Sequence, residues 1–142
     1  MTARDQDAID HELRILFQKI SRRIRVNRAD EAISDAQLSI LFRLEEHGPL
    51  TPGRLAEHER VTPPSVNRTL NALEAEGRIR RVPRADDGRK VDVELTDAGR
   101  AVIAETRRLR SRWFTLRLED LPQDERRALE AVIPTLRRLA DS

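Results

Sequence analysis

Residues 61–95 of this 142-residue chain read VTPPSVNRTLNALEAEGRIRRVPRADDGRKVDVEL, and they predict a short helix followed by a β-hairpin. Thr62 is a good N-cap, and Pro63 stands at the first helical position, where a missing N–H costs nothing. Gly77 provides the left-handed residue that ends the helix. Between these points, three apolar residues recur at helical spacing on one stripe: Val66, Leu70 and Leu73.

The other side of this predicted helix carries polar side chains, namely Ser65, Asn67, Arg68 and Asn71. Serine, asparagine and arginine near the N-terminus of a helix have the groups that hydrogen-bond to base edges in the major groove of DNA. The alternative is a core helix whose polar residues face water. The pattern favours a helix that reads DNA.

Two more helices are predicted upstream of the reading helix. Ser34 and Gln37 form a capping box that opens the first of them, and Gly48 ends it. Thr51-Pro52 repeats the combination of a cap and a proline, and it opens a shorter helix over about 51–58. Two short helices joined by a tight turn are typical of a helix-turn-helix.

The hairpin completes this unit. Strand-like runs over 79–82 and 91–95 flank the segment ADDGRK, which supplies turn residues and a charged tip. A helix-turn-helix followed by a β-hairpin predicts a winged helix-turn-helix over residues 34–95.

Amphipathic helices are predicted on both flanks of this core, over residues 6–27 and 97–139. The second flank comprises a long helix over about 97–118 and a last helix over about 123–139. Pro134 lies inside the last helix and should bend it or split its hydrogen bonding. These helices are too apolar to stay solvated, and burial against a second copy is the simplest solution. We therefore expect one mainly α-helical domain over residues 1–142, a winged helix-turn-helix with a small β-hairpin wing between N- and C-terminal dimerisation helices.

Composition excludes several classes of function. The absence of cysteine rules out disulfides, thiol-based redox sensing and cysteine metal ligands. The three histidines have no ligand spacing, so no metal site is predicted, and no nucleophile–base pair or glycine-rich phosphate loop indicates an enzyme or a cofactor. No apolar run approaches the roughly 18 residues of a membrane span. The N-terminus, MTARDQDAIDHE, is not that of a signal peptide, so we expect a cytoplasmic protein.

Charge is informative through its distribution. The formal net charge is only +2, but residues 77–90 contain six basic residues and two acidic ones. Arginine supplies 25 of the 27 basic residues, since Lys19 and Lys90 are the only lysines. That skew makes any single arginine outside the hairpin weak evidence for a DNA contact.

Two motifs together resemble the MarR family of bacterial winged-helix regulators, and the resemblance extends over about residues 7–139. The more specific motif is Asp87-Gly88-Arg89 followed by Val93-Glu94-Leu95-Thr96-Asp97-Ala98-Gly99, which looks like the family's wing tip and the entry to its fifth helix. The reading helix, from Pro64-Ser65-Val66 to Gly77, is similar too. The resemblance implies a homodimer of triangular outline, whose terminal helices interlock and whose wings straddle the duplex.

For the reading helix, the resemblance implies docking in a major groove. Arg68 would bind a guanine in a bidentate manner, while Ser65 and Asn67 would contact base edges or phosphates. Thr62 and free N–H groups of the first turn would favour a phosphate. Pro63 and Pro64 have no N–H to donate, and they would contact a thymine methyl group.

For the wing, it implies that Arg89 enters the flanking minor groove, where a narrow A·T tract deepens the negative potential. Asp87 would hold Arg89 extended through a charge-assisted hydrogen bond. Arg84 and Lys90 would contact phosphates. The alternative is a solvated turn.

A two-fold dimer requires a palindromic operator in double-stranded DNA, and repression is the family's commonest outcome. The resemblance further suggests a small aromatic or anionic effector between the dimerisation helices and the winged helix. Phe17, Phe42 and Trp113 are the candidates for that pocket, and for each the alternative is a packed core residue. A winged-helix module that binds protein is the rival function, although the reading helix lacks the apolar or acidic patch it would need.

Overall fold

The computed structural model describes all 142 residues and contains seven helices and one two-stranded sheet. In chain order the elements are α1 (Ala3–Arg25), α2 (Asp35–His47), α3 (Pro52–Glu59), α4 (Pro63–Ala75), β1 (Ile79–Pro83), β2 (Val91–Leu95), α5 (Asp97–Glu119), α6 (Gln123–Ala131) and α7 (Ile133–Ala140). The predicted fold class is confirmed, because helices flank a helix-turn-helix with a β-hairpin wing.

The helix boundaries follow local capping chemistry. Ser34 Oγ accepts a hydrogen bond from the Gln37 N–H at 3.1 Å, and Gln37 Oε1 accepts one from the Ser34 N–H at 2.9 Å, so the predicted capping box is present. Thr62 Oγ1 caps α4 by accepting from the Ser65 N–H at 3.3 Å. At the other end of α4, Gly77 has a φ of 73°, the left-handed conformation that the sequence predicts.

The hydrophobic core lies between α2, α3, α4, the wing and the first turns of α5. The predicted stripe of α4 faces this core, since its three apolar residues have at most 2% of their surface exposed. The cluster consists of 14 buried residues: Ile33, Leu38, Ile40, Leu41, Leu44, Leu55, Ala56, Val66, Leu70, Leu73, Ile79, Val93, Leu95 and Ile103. Packing of this kind fixes the rotation of α4 and therefore determines which of its residues face outward.

The wing is attached to the core at its root. Strands β1 and β2 pair antiparallel, from Ile79 opposite Leu95 to Pro83 opposite Val91. Leu50, in the loop between α2 and α3, forms a bridge with Val93, with N···O distances of 3.2 and 2.7 Å. The hairpin is consequently held on both sides near its base, while its tip projects.

The junction of the wing with α5 explains one glycine. Thr96 Oγ1 donates to the Gly77 carbonyl at 2.6 Å and caps α5 by accepting from the Gly99 N–H at 3.1 Å. A Cβ atom on Gly99 would lie 2.1 Å from the Arg78 carbonyl oxygen. Only glycine allows α5 to approach the end of α4 this closely.

Two predicted boundaries needed correction. The first helix begins at Ala3 and ends at Arg25, whereas the sequence predicts 6–27, because Thr2 and Asp5 form a capping box nearer the terminus. The last predicted helix, 123–139, is divided at Val132 into α6 and α7. The predicted effect of Pro134 is thereby confirmed, since a proline near the start of α7 cannot donate to α6.

The terminal helices differ from the core in having no buried residue on α1, α6 or α7. Their large apolar side chains are about half exposed: Ile9, Leu13, Ile15, Leu16, Phe17, Ile20, Leu129, Val132, Ile133 and Leu139. No helix has both the length and the apolar character that crossing a membrane would require.

Candidate nucleic-acid interface

Two polar side chains on the outward face of α4 have no partner within the protein. Asn67 and Arg68 are exposed, and their side chains form no hydrogen bond or ion pair. Ser65 is half-buried, and its carbonyl accepts a hydrogen bond from Thr69 Oγ1 at 3.3 Å. The amide of Asn67 and the guanidinium of Arg68 can therefore both bind an external molecule at no cost in internal contacts.

The N-terminus of α4 differs from its predicted role. Pro63 and Pro64 have no N–H, Thr62 Oγ1 accepts the Ser65 N–H, and the Thr62 carbonyl accepts the Val66 N–H at 3.0 Å. This turn has fewer free N–H groups than the sequence predicts, because the prolines have none and the threonine cap uses that of Ser65, which leaves the Thr62 N–H without a partner in the protein. Thr62 orders the helix start, and Pro63 and Pro64 offer an exposed apolar surface.

The wing tip is ordered by the backbone and by Asp87. The Asp87 carbonyl accepts from the Lys90 N–H at 3.0 Å, and Asp87 Oδ1 accepts from the Arg89 N–H at 3.1 Å. The predicted bond from Asp87 to the Arg89 side chain was wrong, since a carboxylate two residues ahead lies over the backbone N–H. Asp87 thus shapes the turn, and the exposed guanidinium of Arg89 has no partner.

Most of the positive charge of the hairpin is neutralised within the protein. Of the six basic residues in 77–90, four form ion pairs. The pairs are Arg78 with Asp30 and Glu76, Arg80 with Glu94, Arg81 with Glu74, and Arg84 with Asp86 and Asp92. Only Arg89 and Lys90, both at the tip, are exposed and unpaired, so the electropositive part of the wing is its tip.

Arg84 therefore differs from Arg89 and Lys90 as a candidate phosphate contact. Its Nε lies 3.3 Å from Asp86 and 3.8 Å from Asp92. A phosphate would have to compete with two carboxylates for this guanidinium. Pairing of this kind is not visible in the sequence when the partners are distant. Arg78, for example, pairs with Asp30, which lies 48 residues away.

Asn71 and Arg81 also belong to the surface formed by α4 and the wing, although the sequence did not identify them as DNA contacts. Arg81, on β1, donates to Asn71 Oδ1 and to Glu74 Oε1 on α4, both at 3.0 Å. Asn71 lies one helical turn after Asn67 on the exposed side of α4, and that i, i+4 spacing is the signal that could have found it. The wing and the reading helix are thus fastened to each other.

The three aromatic candidates for an effector pocket are not brought together. Phe42 lines a cleft of about 530 Å³ formed by residues of α1, α2, α3 and α5. Phe17 lies elsewhere, on the exposed face of α1, beside a recess that it shares with Leu13 and Leu139. Trp113 borders neither cavity and stacks with the guanidinium groups of Arg23 and Arg117, at 5.3 and 5.0 Å. Within one chain the three aromatic residues therefore do not line a common cavity.

The cleft at Phe42 has a distinct electrostatic character. The guanidinium groups of Arg107 and Arg110 lie 5.6 Å from the Phe42 ring. Arg110 donates to the carbonyl oxygens of Asn27 and Arg25, and it has no carboxylate partner. Burial lowers the pKa of Arg110 below its usual value, and the neighbouring charge of Arg28 lowers it further. The carboxylates of Asp35, Glu46 and Glu59 also line the cleft, so its charge is mixed.

Known proteins resemble this chain in sequence. The model of the MarR family matches residues 33–91. An uncharacterised HTH-type transcriptional regulator of Mycobacterium bovis is 35% identical over 138 residues, which are 96% of each chain. The HTH-type transcriptional repressor MdtR of Bacillus subtilis is 30% identical over 116 residues, 79% of this chain and 75% of its own.

Solved structures resemble it in fold. A putative transcriptional regulator from Pseudomonas aeruginosa is 28% identical and superposes with a TM-score of 0.84, over 100% of this chain and 99% of its own. A MepR variant of Staphylococcus aureus, solved bound to an oligodeoxyribonucleotide, is 19% identical, with a TM-score of 0.74 over 93% of this chain and 97% of its own. At that identity the likeness shows the fold alone.

Proposed function

This chain belongs to the MarR family of helix-turn-helix transcriptional regulators, and we propose that it is a homodimeric repressor of an inverted-repeat operator. Members of the family are DNA-binding regulators and are not enzymes. In this proposal each subunit places α4 in a major groove and its wing tip in the adjacent minor groove. A small molecule bound next to the winged helix modulates the complex.

One observation carries the proposal: the unpaired cations of α4 and the wing lie at two places, the outward face of α4 and the wing tip. Arg68 projects from α4, and Arg89 and Lys90 project from the tip, while the arginines between them are neutralised. A guanidinium in a major groove binds O6 and N7 of a guanine. A guanidinium in the minor groove is attracted by the strong negative potential of a narrow A·T tract.

The other contacts follow from what each residue offers. Asn67 has a free amide for a base edge, and the Ser65 hydroxyl is suited to a base edge or a phosphate. Pro63 and Pro64 contact a thymine methyl group. Lys90 binds a phosphate. The role of Thr62 is to cap α4, and that of Asp87 is to shape the turn that carries Arg89.

The homodimer accounts for the apolar terminal helices. We propose that residues 1–142 form one domain, in which 34–95 is the DNA-binding core, while 6–27 and 97–139 contain the dimerisation helices. The half-exposed apolar stripes of α1, α6 and α7 support this, because a second copy would remove them from water. Two-fold symmetry then requires half-site centres roughly 34–36 Å apart. A monomer in sedimentation at micromolar concentration would overturn the dimer.

Repression is supported by relatives that carry that description. MdtR of Bacillus subtilis is named a repressor, and so is NicR of Pseudomonas putida, which is 27% identical over 97 residues, 68% of this chain and 61% of its own. Modulation by an effector is supported by the position and chemistry of the cleft at Phe42. A small aromatic molecule there would stack on the Phe42 ring, and it would touch α2 and α5 together.

The test begins by selecting bound sequences from a random duplex pool and continues with titrations of the selected site. Arg68→Ala should cost about 1–3 kcal/mol and relax one base position in each half-site. Arg89→Ala should weaken binding and reduce the dependence on salt by about one unit of slope per subunit. Arg108→Ala removes a surface arginine that pairs with Glu105 on α5, and it should leave affinity unchanged.

Equal affinity of the wild type and both variants for the selected site would refute these contacts. Failure to shift random duplex at any salt concentration would instead favour a winged-helix module that binds protein.

A further inference from the structure

The contact between Arg81 and Asn71 fixes the orientation of an amide on the outward face of α4. Alternation along β1 places Arg81 on the same side as the buried Ile79, which is the side that packs against α4. Its guanidinium there donates to Asn71 Oδ1 and Glu74 Oε1, three residues apart on the helix. Arg81 is half-buried, with 23% of its side chain exposed, and its two bonds to α4 restrict its guanidinium to one position.

The chemistry of the two groups determines which atom of Asn71 faces Arg81. A guanidinium has only donors, so the atom that it contacts must be the amide oxygen. Rotating the amide would place two donors against each other. The Asn71 NH₂ group consequently points away from Arg81, and no acceptor within the protein binds it. Asn67 differs, because its amide has no partner and can present either atom.

We propose that Asn71 is a further DNA contact of the reading helix and that Arg81 restricts it to the role of donor. The proposal rests on the function proposed above. Bidentate recognition of adenine requires an amide that presents its oxygen and its nitrogen together on one edge. Asn71 has its oxygen turned toward the wing and presents only N–H groups, so its partner is an acceptor. Purine N7, guanine O6, thymine O4 and a phosphate oxygen share that chemistry.

Asn71→Asp tests the contact while keeping the link to Arg81, and Asn71→Ala, which adds no charge, separates loss of the donor from repulsion between a new carboxylate and the phosphates. A carboxylate still accepts from Arg81, so the link between the wing and α4 is retained and thermal stability should remain that of the wild type. The outward donor is replaced by an anionic oxygen beside DNA acceptors. We expect affinity for the selected duplex to fall about tenfold or more, and to fall further than in Asn71→Ala. Wild-type affinity of Asn71→Asp, within twofold, would overturn the contact.

Selection from the random pool with Asn71→Ala identifies the acceptor. Loss of preference at one position of each half-site indicates a base, whereas a uniform loss with an unchanged consensus indicates a phosphate. Both results support a donor contact. An unchanged consensus with unchanged affinity contradicts it.

The role of Arg81 is tested by Arg81→Met, which leaves the amide free to rotate. If Asn71 contacts a base, the affinity for adenine relative to guanine or thymine at that position should rise severalfold. If Asn71 contacts a phosphate, the same rise should be found at some position of the half-site. The matched control is Arg80→Met, since Arg80 pairs with Glu94 on the other face of the strand. Identical base preferences for both methionine variants would overturn the restriction by Arg81.

Arg68→Ala is measured in the same titrations to keep the two proposals separate. If Arg68→Ala weakens binding and Asn71→Asp does not, only the inference about Asn71 fails. If neither variant changes affinity, the proposed docking of α4 fails with it.

Discussion

The winged-helix core and the terminal helices contain similar amphipathic patterns but have different surroundings. All 14 residues of the buried cluster lie between Ile33 and Ile103. The 23 residues of α1 include none that is buried, and neither do α6 and α7. An apolar stripe therefore predicts a helix and predicts that something covers it, but not what does so. In the core the cover is the same chain, and at the termini we propose that it is a second copy.

The two regions are joined by a linker that is pinned at several points. The Ala29 N–H donates to Oγ1 of the fully buried Thr106 on α5, at 3.1 Å. Arg78, at the end of α4, bonds to Asp30 in the linker at 2.9 Å and to Glu76 at 2.9 Å. Arg28 donates to the Ile33 carbonyl at 2.7 Å. The linker is thus bonded both to α5 and to Arg78, which follows α4.

The largest expected effect tests the core side of this comparison. Gly99→Ala places a Cβ atom 2.1 Å from the Arg78 carbonyl oxygen, which is backbone and cannot rotate away. We expect the free energy of unfolding to fall by about 3 kcal/mol or more, as measured by denaturant melts. Gly88→Ala is the control, since a Cβ there meets nothing within 4 Å. Similar stability of the two alanine variants would show that the close approach of α5 is not required.

The next effect tests the terminal side. Leu13→Glu introduces a carboxylate into the apolar stripe of α1, where 49% of the leucine surface is exposed. Burying that charge between two copies should weaken self-association by about 100-fold, while the core, which Leu13 does not enter, retains its helical signal. Sedimentation equilibrium measures the change. His11→Glu places the same group on the opposite side of α1, and a loss of association as large as that of Leu13→Glu would contradict the proposed interface.

The smallest effect concerns Asp30, in the linker between α1 and the winged-helix core. The Ala32 N–H, and then Arg78, hold the pKa of Asp30 below its usual value. A carboxyl whose pKa is lowered on folding adds stability above its unfolded pKa of about 3.9, and that stability is lost as the pH falls through the folded pKa. Wild type should exceed Asp30→Asn in stability at neutral pH, and the gap should close below about pH 4.

Urea melts at a series of pH values measure that gap. Asp7→Asn serves as the control, because Asp7 is exposed on α1 and has no protein partner. A difference in stability between the wild type and Asp30→Asn that stays constant down to pH 2 would show that the Asp30 carboxylate does not stabilise the linker.

Local rules allowed much of the fold to be predicted. Capping boxes, prolines at helix starts and Gly77 act within one turn of chain, so the boundaries of α2 and α4 agree with the sequence to within a residue. The same rules identified the exposed arginines of α4 and the wing tip. The start of α1 at Ala3 was not predicted, although the capping box of Thr2 and Asp5 is equally local, because the apolar stripe begins only at Ile9.

The errors have more than one origin. Asp87 bonds to the Arg89 backbone instead of its side chain, and the Ser65 N–H in the first turn of α4 is not free, because local acceptors took these donors. The aromatic residues were grouped by type, whereas packing distributed them over different faces. The pairing of Asn71 with Arg81 depends on how a strand lies against a helix, and no spacing in the sequence encodes it.

The amino-acid sequence by itself determined where most helices start and stop, which stripes are apolar, and that a charged hairpin follows a reading helix. Those properties depend on backbone hydrogen bonds and side-chain periods within a few residues. Only the tertiary structure decided which arginines are neutralised, since ion pairs such as Arg78 with Asp30 join residues 48 positions apart. Electrostatic attraction depends on distance in space, so the charges that remain for DNA are known only after the chain has folded.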